Sequence, residues 1–169
     1  MRTEFGQPRT SCSCDICMDN CRVMPGYLIP TDLKRMIPVG EEPLAWAERN
    51  LLASPGALVM VASTGRTFRI RTLVPAIKAD GSCINLTEAG RCAIHEVSPF
   101  GCAFFDCGPE TSARSKLARQ GLLEVYDATI TNQDSLYYKI WSHLANHGFA
   151  QKAPDVLRRK FSENAHGHL

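Results

Sequence analysis

Cysteine is the residue through which this chain has most chemistry to offer. Seven of its eight cysteines form two groups, Cys14-x2-Cys17-x3-Cys21 and Cys83-x8-Cys92-x9-Cys102-x4-Cys107, and Cys12 stands just upstream of the first. Thiolates are the soft ligands that zinc and iron–sulfur sites use, and a two-residue gap lets neighbouring sulfurs converge on one ion or cluster. All eight are therefore candidate metal ligands. Three thiolates alone do not close a tetrahedral site, so the first group is expected to share coordination with the second. The spacing leaves two architectures open: two closed tetrahedral zinc sites, or one iron–sulfur cluster with the remaining thiolates serving a second site. The second group lacks the C-x2-C of a zinc ribbon, and the first places its two-residue gap before its three-residue gap, the reverse of the radical-SAM order. Gaps of eight and nine residues suit a site assembled from several loops.

A disulfide framework is the competing use of eight cysteines. The opening residues Met1 to Arg9 contain no apolar signal core, and no later run approaches the ~20 apolar residues of a membrane span. A cytoplasmic address is therefore expected, where disulfides rarely persist. With 169 residues, 44% hydrophobic and 21% charged, the chain also has enough material for a core without staples. It reads as one domain over residues 1–161, with cysteine blocks at 12–21 and 83–107, a helical part from about 110 to 161, and a frayed tail at 162–169. The formal net charge of +2 does not call for nucleic acid: Arg158-Arg159-Lys160 is short and has no interleaved aromatics. No repeat of fixed period is visible.

Other residues offer themselves as supplementary ligands. His95 lies between Cys92 and Cys102 and is a candidate ligand or donor to a ligand. His143 and His147 have the i, i+4 spacing that presents two imidazoles to one ion, but no acid stands between them as in a zinc-protease helix, and an ordinary surface pair is the stronger expectation. His166 and His168 fall in the tail. Asp15 and Asp106 sit beside cysteines and Glu96 follows His95; all three read first as surface carboxylates. Phe100, Phe104 and Phe105 are expected to form an apolar wall that limits water access to the thiolates, with at least two of them in the core rather than stacking on a substrate.

The elements that must hold these ligands read as α+β. After Cys21 an extended apolar stretch broken by Pro25, Gly26 and Pro30 leads to a short helix, with Thr31 as its N-cap, ending near Met36. A second helix is expected from about Glu42 to Ala53, with Pro43 in its first turn and Ser54-Pro55-Gly56 ending it. Leu58 to Ala62 and Thr67 to Val74 read as a hairpin with one wet face, where Arg69 and Arg71 alternate with Phe68 and Ile70. Asp80-Gly81 turns the chain into the second cysteine block, which thus forms loops held by a small sheet. Beyond Pro109, a stripe of Leu117, Gly121, Leu122, Val125 and Tyr126 predicts one helix. A second starts near Asp134, turns Tyr137, Ile140, Trp141 and Leu144 inward, and stops at Gly148. These helices should cover the hairpin. A last short one is expected over Asp155 to Phe161.

The segment Cys83-Ile84-Asn85-Leu86, then Gly90-Arg91-Cys92-Ala93-Ile94-His95, then Ser98-Pro99-Phe100-Gly101-Cys102-Ala103-Phe104-Phe105-Asp106-Cys107 resembles the YkgJ-like cysteine-cluster family, described as zinc- or iron-chelating domains. The stretch Cys14 to Met36, with close cysteines, an apolar run and a Thr-Asp helix start, is similar to that family's first block. The resemblance spans about the first 110 residues. The chain departs from the pattern where Asn20 precedes Cys21 in place of a paired cysteine, and where His95, Ser98-Pro99 and Cys102-Ala103 stand for Tyr, Arg-Pro and Cys-Arg. Cys12 is positioned to replace the missing thiolate, and Arg22 and Arg91 are the nearest cations by sequence. The resemblance implies a metal-binding protein holding zinc or an iron or iron–sulfur centre, with a redox or metal-handling role. A structural zinc module that presents its helices to a protein partner is the alternative. A metal-dependent protein-modifying enzyme is a third reading, because related clusters resemble part of flagellin lysine methylases, but no glycine-rich cofactor loop or Ser/His/Asp order supports it here.

Overall fold

A computed structural model describes residues 15–23, 25–60, 65–104 and 111–151. The architecture is α+β: a two-stranded antiparallel hairpin packed by helices. In chain order these are α1 (Asp15–Val23), α2 (Pro30–Met36), α3 (Pro43–Asn50), β1 (Leu51–Met60), β2 (Thr67–Pro75), a single 3-10 turn (His95–Val97), α4 (Phe100–Phe104), α5 (Thr111–Tyr126) with a π turn (Asp127–Thr131), and α6 (Leu136–Asn146). Among the described residues no helix is long and apolar enough to cross a membrane. The helix expected over Asp155 to Phe161 and the tail after it lie outside the described residues.

The hairpin is longer than its sequence suggests. Ser54-Pro55-Gly56 does not end a helix but forms a bulge inside β1: Ser54 pairs with Thr72 and Ala57 with Ile70, so two residues of β1 face one of β2. The bulge leaves Pro55, which has no N–H to give, out of the ladder. Gly56 is required there, because its φ is +78° and an added Cβ would lie 1.7 Å from the Ile70 carbonyl oxygen. α3 accordingly stops at Asn50, and Leu51, which falls inside the expected helix, becomes the first residue of the strand.

Both edges of the hairpin are met by single bridges. Leu28 N donates to Leu73 O at 2.8 Å on the β2 side, while Ala53 exchanges hydrogen bonds with the chain leaving α6 on the other. The Tyr137 hydroxyl enters the first bridge, accepting from Leu73 N at 2.8 Å and donating to Leu28 O at 2.7 Å. α6 packs on β1 and α3, and α5 on β2, so the C-terminal helices cover the hairpin as expected. Leu117, Gly121 and Val125 of α5 and Tyr137, Ile140 and Leu144 of α6 are buried on the anticipated faces. The wet face of β2 is limited to its first half: Arg69 is exposed, Arg71 lies over the Trp141 ring, and Leu73, next on that face, is buried. α6 is capped at both ends, by Ser135 Oγ accepting from Tyr138 N at 3.0 Å and by Gly148 at φ +87°, after which Phe149 N returns to Leu144 O.

α2 begins two residues before expectation. Ile29 is its N-cap and Pro30 its first residue, and Asp32, three residues on, accepts from Ile29 N at 2.9 Å. Thr31 is exposed and does not cap.

Candidate metal centre

Between β2 and α4 the second cysteine block runs through short turns closed by hydrogen bonds, which place Cys83 and Cys92. Leaving β2, the chain turns at Lys78 to Ser82, where Asp80 Oδ1 accepts from Ser82 N and Oγ at 2.9 and 2.7 Å. Those bonds hold the exposed Asp80 carboxyl below its ordinary range. The turn returns Cys83 to bridge Ile77. A second turn, Thr87 to Arg91, does the same for Cys92, which bridges Leu86. Gly90 sits in this turn at φ +72°, and a Cβ there would meet Met18 Sδ of α1 at 3.1 Å. The 3-10 turn at His95 to Val97 then leads through buried Ser98 and Pro99 into α4, which carries Cys102.

α1 meets this block directly. Cys83 N donates to Cys21 O at 2.9 Å, joining the two cysteine groups through their backbones. On the other side, Gly26 N donates to Cys102 Sγ at 3.2 Å and Gly101 N to Tyr27 O at 2.9 Å. The strands of this crossing touch so closely that a Cβ on Gly26 would lie 2.2 Å from the Gly101 carbonyl carbon, and one on Gly101 2.5 Å from Tyr27 N. Only glycine permits a contact of that kind. Asp32 braces it: fully buried, its Oδ2 accepts from Phe100 N at 2.8 Å as well as from Ile29 N, and its Oδ1 takes Arg35.

Four thiols, those of Cys21, Cys83, Cys92 and Cys102, share one electrostatic neighbourhood. Burial pushes the Cys102 thiol up; the Gly26 amide pulls it down, and charge on Cys21, Cys83 and Cys92 adds to the rise. Burial likewise raises Cys83, against hydrogen bonds from the Asn85 backbone and side chain and the positive charge of Lys78, while charge on Cys92 raises it further. Neither Cys83 nor Cys102 is in a disulfide. Thiols raised as those of Cys83 and Cys102 are keep their protons where no positive charge is near, and a soft cation, once bound, would supply the charge that turns them into thiolates. Backbone N–H donors aimed at sulfur suit that state, because they stabilise negative charge on the ligand.

Cys12, Cys14 and Cys107 lie outside the described residues, as does the side chain of Cys17, whose backbone belongs to α1. Among the described residues, no three Cys, His, Asp or Glu side chains are grouped so as to hold one ion. The donor set fits a soft metal in chemistry, and its described part brings four thiols to one region from three parts of the fold.

The other candidates fall elsewhere. His95 is half-buried in its 3-10 turn, with its backbone N–H on Cys92 O at 3.3 Å. His143 and His147 stack, with ring centroids 4.1 Å apart, and turn to different partners: His143 Nε2 lies 2.6 Å from Glu48 Oε1, and His147 Nδ1 lies 2.7 Å from the His143 carbonyl. Phe100 belongs to the core, tilted against Tyr27; the Phe104 side chain and Phe105 lie outside the described residues. Arg22 pairs with Asp19 on the surface, and the cation that acts on Cys83 is Lys78. Gly26, Asp32, Asn85 and Lys78 were not singled out in the sequence as residues that place the thiols. The only signals for them were Pro25-Gly26 and Phe100-Gly101-Cys102, two glycine steps whose meeting no local pattern announces. Comparison with known proteins finds no matching family model, no matching curated protein and no matching solved structure.

Proposed function

We propose that the chain is a metal-binding protein whose cysteine cluster holds zinc or an iron or iron–sulfur centre and serves a redox or metal-handling role in the cytoplasm. The observation that carries this reading is the gathering of Cys21, Cys83, Cys92 and Cys102 from α1, two turns and α4 into one neighbourhood, with amide donors on two of the sulfurs. Cys14, Cys17 and Cys107 are the residues proposed to complete the ligand set, with Cys12 as a reserve. Zinc would close the cluster as a structural or transferable ion; iron would add one-electron chemistry. The YkgJ-like resemblance supports the same reading and adds no residue to it.

The test is anaerobic purification of the full chain, with elemental analysis and visible absorption on one preparation. A stoichiometric metal is expected, colourless if zinc and absorbing in the visible if iron–sulfur. Protein that carries no metal, takes up neither zinc nor iron when offered, and titrates eight reactive thiols would end the proposal. A second reading, a structural zinc module that presents helices to a partner, is favoured by the turn-by-turn closure of the 78–92 segment, which makes the cluster part of the fold. Full chelation of zinc that leaves α5 and α6 intact but exposes the 78–102 segment to protease would select it.

A further inference from the structure

We propose that Asp32 is the positioning residue of the cysteine cluster, holding Cys102 in its ligand place by clamping the start of α4 onto the start of α2; this rests on the metal-binding reading above. A carboxylate is costly to remove from water, and Asp32 is removed entirely. Capping α2 does not require this, since an N3 carboxylate does that work at the surface. The reason for burial is the second amide it receives, Phe100 N, which lies 68 residues further along the chain and two residues before Cys102. From that point three consecutive residues are tied to the 26–32 segment: Phe100 N to Asp32, Gly101 N to Tyr27 O, and Cys102 Sγ to Gly26 N. The Gly26 and Gly101 backbones are already in contact, so the crossing can loosen in one way, by separation, and the Asp32 carboxylate resists it together with the Cys102 sulfur and the Tyr27–Phe100 ring contact. Arg35 on Oδ1 holds the carboxylate in turn. The carboxylate receives Ile29 N, Phe100 N and Arg35, and so acts on Cys102 through the backbone at the start of α4.

Cobalt(II) titration of the reduced, metal-free full chain tests this, read from thiolate-to-metal absorption and chelator competition. Asp32→Asn keeps the side-chain volume and removes the charge; it is expected to weaken cobalt binding by about 10- to 100-fold. In combination with Cys102→Ser it should add no further loss, because both act on one ligand. Ser135→Ala, which uncaps α6 away from the cluster, should leave cobalt affinity within about a factor of two while lowering stability. Losses that multiply in the double variant, or unchanged affinity for Asp32→Asn, would overturn the proposal. Iodoacetamide labelling of the metal-free protein, followed by mass spectrometry, supplies a measurement independent of metal: Asp32→Asn should accelerate labelling of Cys102 by about tenfold and leave Cys83 unchanged. If the wild type takes up no cobalt, the metal-binding reading fails on its own, and labelling still decides what Asp32 does. Equal acceleration at Cys83 would reduce Asp32 to a general stabiliser and overturn its assigned role. Should Asp32→Asn not fold, Arg35→Gln loosens the same carboxylate from its outer side and takes its place in both measurements, with the same directions expected.

Discussion

At the scale of single residues, the thiols should be unequal. Replacing Cys92 or Cys102 by serine is expected to lose bound metal, whereas Cys12→Ser should leave most of it in place; metal content per chain after purification decides. Equal loss for all three would make Cys12 a full ligand and favour a site closed by thiolates. A second residue prediction concerns Tyr137, whose hydroxyl is raised by burial, with Leu73 N–H working against the rise and Asp32 adding to it. The folded state therefore keeps this proton where the unfolded chain has lost it, so stability falls as pH rises past about 10, the ordinary tyrosine range. Below that pH the contribution is fully present. Tyr137→Phe removes the alkaline term together with two hydrogen bonds, so its melting temperature should begin lower and decline less steeply between about pH 9 and 11 than that of the wild type.

At the scale of elements, glycines with similar dihedral angles should differ in cost. Gly56 and Gly81 have φ of +78° and +85°, but a Cβ at Gly56 meets the Ile70 carbonyl whereas one at Gly81 meets open space. Gly81→Ala should cost about 1–2 kcal/mol, the price of left-handed backbone alone, and Gly56→Ala clearly more; urea unfolding of both variants measures the difference. How far the elements could be read from sequence follows the same division. Helices α5 and α6 were legible because burial on one face leaves a periodic stripe, and Gly148 marks the end of α6 by a local requirement. The β1 bulge was not legible, since Ser54-Pro55-Gly56 is as good a helix stop as it is a bulge, and only pairing with Thr72 and Ile70 distinguishes them. The cysteines announced themselves by type and spacing. The residues that place four of them did not, because a buried aspartate and two crossing glycines carry no chemistry of their own until distant parts of the chain meet.

At the scale of the whole molecule, a metal would be as large a term as the fold. Apparent binding free energies for structural zinc are about 10–16 kcal/mol, against roughly 5–15 kcal/mol for the net stability of a domain. Chelation is thus expected to lower the melting temperature strongly and to open the 78–102 segment before the α3, β1, α6 face, where Leu51, Ala47, Ile140 and Leu144 pack without thiols. Hydrogen exchange on loaded and chelated protein resolves the two regions, and an unchanged melting temperature would exclude a structural metal. The crossing of Gly26 and Gly101 also bears on how the chain is made. The amide that serves Cys102 leaves the ribosome 76 residues before the sulfur it serves. Until then Cys21 has neither Cys83 nor Cys102 beside it, and an ion captured early would sit among thiols that lack most of their final company. If the cluster binds metal, loading at this neighbourhood would therefore wait until the chain through Cys102 has been made and has folded back onto the first cysteine group.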